Sequence, residues 1–192
     1  MDRFLNSEFT VIGIIALIIF IVLIWWVKTS NRFNRYKVVI DESKKNVDIA
    51  LAKRYDTICE MIKVAKSYAK HESSTFSNVI KLRQNANIKE FNSAIQNQDR
   101  EISKIFALAE AYPDLKSSQE FINLQDEISD ENEQLAAAKR IVNNNISIIN
   151  QDIVSFPKSV VAKSKGLKEM EFLKEQNIDV KRSINEFDYD VK

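Results

Sequence analysis

The chain has 192 residues, enough for about one domain plus an anchor, and its 45% apolar and 29% charged composition is too apolar for disorder. Its 28 basic and 27 acidic residues nearly cancel, to a formal net charge of +1, and Lys and Glu are interspersed, which argues against a nucleic-acid partner. Cys59 is the only cysteine and His71 the only histidine, so an intramolecular disulfide and a cysteine metal cluster are both excluded. The four residues Gly13, Pro113, Pro157 and Gly166 are the only glycines and prolines, too few for the turns of a sheet. An all-α fold follows.

The first element is a transmembrane helix over 9–27, nineteen uncharged residues that rise roughly 28 Å as a helix, close to a bilayer's hydrocarbon core. Trp25 and Trp26 close it at headgroup level. Asp2 and Glu8 beside Arg3, and the lack of a small-x-small cleavage site after the run, weigh against a cleaved signal peptide. Lys28, Arg32, Arg35 and Lys37 follow before the first acid, Asp41. By the positive-inside rule residues 1–8 lie outside and the domain inside, a single-pass arrangement in the inner membrane of a bacterial-type cell. These cations and the two tryptophans form the expected membrane interface, and the lipid bilayer is the first expected partner. Gly13 stands alone in the span, so no GxxxG dimer face exists.

Beyond the span, Ile40, Val47, Leu51, Ile58, Ile62 and Ala65 recur at helical spacing with no breaker before Lys70. Span and stripe are expected to form one rod from Phe9 to Lys70, about 93 Å long. A break is expected at residues 71–75, where Ser and Thr can cap a second helix carrying Phe76, Ile80, Ile88, Phe91, Ile95, Ile102, Ile105 and Phe106. The Asn- and Gln-rich stretch 84–98 is its expected soft middle. Pro113 ends that helix, and Ser117 with Glu120 offers a capping box for a third. This one has a strict heptad, Phe121, Ile128, Leu135, Val142, Ile149 and Phe156, and Pro157 stops it. A short helix over 159–172 follows, with Gly166 as its weak point, and 175–192 reads as a flexible tail. Domain 28–174 is thus an antiparallel bundle of three long helices plus a short fourth, because short connections make neighbours antiparallel.

The polar positions within these helices resemble the LemA family. Lys53-Arg54-Tyr55-Asp56-Thr57-Ile58 is similar to the family's Arg-Arg-x-Asp-Leu-Ile, and Lys66-Ser67-Tyr68-Ala69-Lys70-His71-Glu72 to its Lys-Gly-Tyr-x-x-His-Glu. Arg83 stands at the family's helix-two arginine, and Glu110-Ala111-Tyr112-Pro113-Asp114-Leu115 matches its Glu-x-Tyr-Pro-Asp-Leu. Phe121, Leu124, Glu131-Asn132, Arg140, Asn143, Asn150 and Phe156-Pro157 follow at the family's spacing. The chain departs from the pattern at Lys53, Ser67, Lys139 and Val142, and Cys59-Glu60 stands where the family has Pro-Asn. The resemblance covers the span and residues 34–172. It implies a membrane-anchored helical bundle, and the family's molecular activity is itself poorly defined.

No catalytic, cofactor-binding or metal site is expected. Cys59 and His71 lie twelve residues apart, about 18 Å along one helix axis, so they cannot act as a pair within it. One histidine cannot furnish the paired Glu-x-x-His of a helical di-metal site, and no phosphate-binding glycine loop or HExxH occurs. Arg54, Asp56, Arg83, Glu131, Asn132, Arg140, Asn143 and Asn150 are the candidate site. They are read either as a polar network fixing helix register or as a docking groove for a protein partner. The leading expectation is a non-enzymatic scaffold that presents its bundle to an unidentified cytoplasmic or membrane protein, with no small-molecule substrate. The alternatives are a surface organiser that forms homo-oligomers through its apolar stripes, and an unrecognised hydrolase or metal enzyme.

Overall fold

The structure, a computed structural model, describes residues 2–69 and 86–174. His71, Arg83, the expected helix start at 71–75, Phe76, Ile80 and the tail 175–192 lie outside the described residues. Five helices occur among those described, and no strand. In chain order they are α1 (Asp2–Tyr68), α2 (Ile88–Ala111), α3 (Pro113–Lys116), α4 (Gln119–Val154) and α5 (Lys158–Ser164).

α1 is a single helix, as expected from a stretch without a breaker. From Val11 to Ile24 its large apolar side chains are all exposed. It is the one helix among the described residues long and apolar enough to cross a membrane. After Val27 its character changes, and Phe33, Ile40, Val47, Leu51, Ile58 and Ala65 are buried at helical spacing.

The chain divides into two compact units. The first comprises Met1–Ser43 with Asn144–Met170. Its buried apolar side chains are Phe33 and Ile40 on α1, Ile146, Ile149 and Ile153 on α4, and Val161 and Ala162 on α5. The Asp152 carboxylate ties the three helices together. It accepts a hydrogen bond from Tyr36 at 3.1 Å and pairs with Arg32 at 3.2 Å and Lys158 at 2.7 Å. The Lys165 ammonium donates to the Ser30 carbonyl at 3.3 Å and to Asn34 Oδ1 at 2.9 Å, holding the end of α5 against α1.

The second unit comprises Lys44–Asn143 with Glu171–Lys192. One cluster gathers Ile58, Met61 and Ala65 of α1, Ile102, Ile105 and Ala109 of α2, Leu115 of α3, and Phe121, Leu124 and Ile128 of α4. Thr57 meets Glu131 while residues 58–69 share this cluster with 121–128, so α4 runs against α1. α2 and α4 are also antiparallel, being joined by a short connection through α3. α1 and α2 share a direction, with Arg54 meeting Asp99 and the C-terminal halves of both helices meeting in the cluster. The short-connection rule does not reach this pair, since residues 69–87 separate them.

Local chemistry moves several boundaries from their expected places. The Asn-rich stretch contains a helix start, not a soft middle. Asn87 caps α2, accepting from the Glu90 amide at 3.0 Å while its own amide donates to the Glu90 carboxylate at 2.7 Å. The box expected from Ser117 and Glu120 does not form. Ser118 caps α4 instead, accepting from the Phe121 amide at 3.3 Å, and Ser117 terminates α3. α4 stops at Val154, so the heptad buries Phe121, Ile128, Leu135, Val142 and Ile149 but leaves Phe156 85% exposed. The last helix ends at Ser164 and does not reach Phe172. Gly166, at φ +65°, closes it, with the Leu167 amide bonding the Ala162 carbonyl at 3.0 Å and its own amide bonding that of Lys163 at 3.0 Å. That pair of bonds is a Schellman stop, and glycine meets its left-handed φ without steric cost.

Candidate functional site

The second unit carries its polar chemistry on stripes that are otherwise apolar. Along α1 the buried run Leu51, Ile58, Met61 and Ala65 includes Arg54 and Thr57. Along α2 the run Phe91, Ala94, Ile95, Ile102 and Ile105 includes Gln98 and Glu101. Along α4 the run Phe121, Leu124, Ile128, Leu135 and Ala138 includes Glu131.

Arg54 is 3% exposed. Its guanidinium pairs with Asp99 and donates to Gln98 Oε1 at 3.4 Å, and Gln98 Nε2 donates to the Leu51 carbonyl at 3.0 Å. The three side chains close a loop from α1 to α2 and back. Buried charge is tolerated only when it is paired and hydrogen-bonded, and Asp99 supplies the pairing.

One turn further along the same stripe, Thr57 donates to Glu131 Oε1 at 3.0 Å. The second oxygen, Oε2, is buried without a hydrogen-bond partner. Burial pushes the Glu131 carboxyl above its ordinary range and the nearby Glu127 pushes the same way, while Thr57, Arg54 and Lys53 pull it back. Glu131 lies at the edge of a groove of about 390 Å³ between α1 and α4. Lys53, Asp56, Thr57 and Glu60 line one wall, and Glu127, Asp130, Glu131 and Gln134 the other. Five carboxylates against one ammonium make the groove acidic. Among the described residues no three His, Cys, Asp or Glu side chains are grouped as metal ligands.

The described candidate residues are not joined into one hydrogen-bonded network. Arg54 and Glu131 are buried on facing stripes, and Asp56 stands exposed in the groove wall. Asn132 and Arg140 are exposed on α4. Asn143 and Asn150 do something else. In the second unit the Asn143 amide takes the Leu173 backbone at both ends, accepting from its N–H at 2.8 Å and donating to its carbonyl at 2.9 Å. In the first unit Asn150 does the same for Met170, at 2.8 and 2.9 Å. Each amide thus stands in for a neighbouring strand. Of the residues expected at a membrane interface, Trp26, Lys28, Arg35 and Lys37 are exposed and Trp25 is half-buried. Arg32 is already committed to Tyr36 and Asp152.

Sequence reasoning missed Thr57, Gln98, Asp99, Tyr36 and Asp152. For Thr57, Gln98 and Asp152 a signal was present, since each falls on or beside the apolar period of its helix. A polar residue in such a position must find a partner across the bundle.

An apolar N-terminal helix, an all-α bundle, and polar side chains that join helices define a helical protein built around its packing. Its family is specific: the LemA family profile matches residues 43–185, most of the chain, and the chain belongs to the LemA family. No curated protein matches it.

Proposed function

We propose that this LemA protein is a membrane-anchored scaffold without enzymatic activity, which holds its bundle at the cytoplasmic face for a protein partner. The observation that carries this reading is α1 itself. One helix is apolar from Val11 to Val27 and exposed there except at the half-buried Trp25, then presents a buried stripe from Phe33 onward. A hydrophobic run of this length, with nothing packed on it, is matched by a bilayer. The excess of Lys28, Arg32, Arg35 and Lys37 over Arg3 favours a cytoplasmic bundle. The acidic α1–α4 groove is the surface offered to a partner, and its charge suits a basic segment.

Crosslinking in intact membranes, followed by capture of the full-length protein, tests this. A partner recovered reproducibly by the native chain, and lost when Asp56 and Asp130 are both changed to Lys, is the expected result. Recovery of abundant bystanders alone, unchanged by the substitutions, would count against it.

A further inference from the structure

Phe156 is the last member of the α4 heptad and the only one the fold does not bury. At 85% exposure it is the most exposed of the large apolar side chains described. Val154 and Val160 beside it are 60% and 49% exposed, so the α4–α5 turn presents a small apolar knuckle that none of the described residues covers.

Its position within the first unit gives that knuckle a meaning. α4 meets α1 through Asp152, which bonds Tyr36 and Arg32, and then continues toward the turn. After the turn, α5 lies beside the same stretch of α1, with Lys158 on Asp152 and Lys165 on the Ser30 carbonyl and Asn34. Ser30 lies three residues past Val27, about 4.5 Å of helical rise. The polar layer on each side of a bilayer is about 5–8 Å deep. The turn therefore stands at headgroup level when the apolar run of α1 fills the hydrocarbon.

Charge agrees. No acidic residue occurs within 28–40 or 153–167, and the flanking Asp152 is already paired with Arg32 and Lys158, whereas Lys28, Arg35 and Lys163 are exposed there. Exposed apolar side chains beside exposed cations, with the one neighbouring carboxylate already paired, suit one surface in particular, an anionic lipid headgroup layer over hydrocarbon. A protein partner would have to supply anions and an apolar pocket in the same order. The bilayer already next to Val27 supplies both.

We propose that the α4–α5 turn is a second lipid contact, with Phe156, Val154 and Val160 seated at the acyl boundary of an anionic leaflet and Lys163 at its phosphates. This rests on the reading of α1 as a span. A helix held by the span alone can turn about its own axis, and the second contact removes that freedom.

Lipid quenching tests it in the full-length chain, reconstituted into nanodiscs of phosphatidylglycerol and phosphatidylcholine brominated near the top of the acyl chain. Trp25 and Trp26, the only tryptophans, report on the span in the native sequence. Phe156→Trp in a Trp25→Phe/Trp26→Phe background reports on the turn. Both emissions are expected to fall at least twofold against unbrominated discs. Quenching of the native pair with full emission from position 156 would overturn the second contact and leave the span standing. An unquenched native pair would remove the span and this proposal with it.

Discussion

Arg54 illustrates how one buried charge sets a helix pair. Its guanidinium has Asp99 on one side and Gln98 on another, and Gln98 in turn holds the Leu51 carbonyl. Arg54→Met leaves the Asp99 carboxylate, itself 26% exposed, without its cation. Stripping one partner from a buried pair costs about 3–5 kcal/mol, and the partial exposure of Asp99 reduces that to about 2–3 kcal/mol here. Urea unfolding of the detergent-solubilised chain should show that loss, and Arg54→Met/Asp99→Leu should recover at least half of it. Equal instability of single and double variants would mean that packing, not charge, is at stake. Glu131 makes a different prediction, about pH. Its folded pKa is raised above 4.5, first by burial and then by Glu127, against Thr57, Arg54 and Lys53. Asp56, Glu60 and Asp130 also face the groove. The folded state therefore holds this proton more tightly than the unfolded chain. The stability it contributes is complete below about 4.5 and is lost as pH rises through the folded value. Glu131→Gln keeps an oxygen for Thr57 and removes the titration. The variant should gain stability relative to the native chain between pH 4 and pH 7, read as the change in urea midpoint across that range. A difference that stays flat or runs the other way would contradict the buried, uncompensated carboxylate.

At the scale of elements, the two asparagine clasps show what a heptad can do besides packing. Asn143 and Asn150 are seven apart on α4, and each holds both backbone groups of a single residue, Leu173 in the second unit and Met170 in the first. A net hydrogen bond contributes about 0.5–1.5 kcal/mol, and each clasp has two. Asn143→Ala should therefore raise exchange at the Leu173 amide about 10-fold or more while leaving the Ile105 amide in the core unchanged. Amide hydrogen exchange by NMR in micelles would read both. The sequence made part of this legible. Five of the six heptad positions read from the sequence are core positions, and the absence of breakers located α1. The capping residues were harder to place, because Asn87 and Ser118 each lie in a run of several residues able to cap. Only the bonds to Glu90 and Phe121 select between them. The clasps were not legible at all. Asparagines at 143 and 150 look like inter-helix partners until an extended segment from twenty to thirty residues downstream is laid beside them.

For the whole molecule the deciding quantity is the asymmetry of charge about the apolar run. The C-terminal flank carries Lys28, Arg32, Arg35 and Lys37 ahead of Asp41, and the N-terminal flank carries Arg3 between Asp2 and Glu8. Moving cations across a membrane against its potential costs about 2.3 kcal/mol per charge per 100 mV, so four cations resist translocation far more strongly than one. A bundle left on the cytoplasmic side should be out of reach of a membrane-impermeant maleimide. Cys59, the only thiol, is half-buried and makes a poor reporter, whereas Ala107 is exposed on α2. Ala107→Cys in a Cys59→Ser background should stay unlabelled in intact bacterial cells and react fully once the membrane is permeabilised. Changing Lys28, Arg35 and Lys37 to Glu leaves Arg32 on Asp152 and inverts the flank, and labelling of intact cells should then rise severalfold. Labelling of the unmodified flank in intact cells would place the bundle outside. A cytoplasmic partner for the acidic groove would then be untenable, whatever the span does.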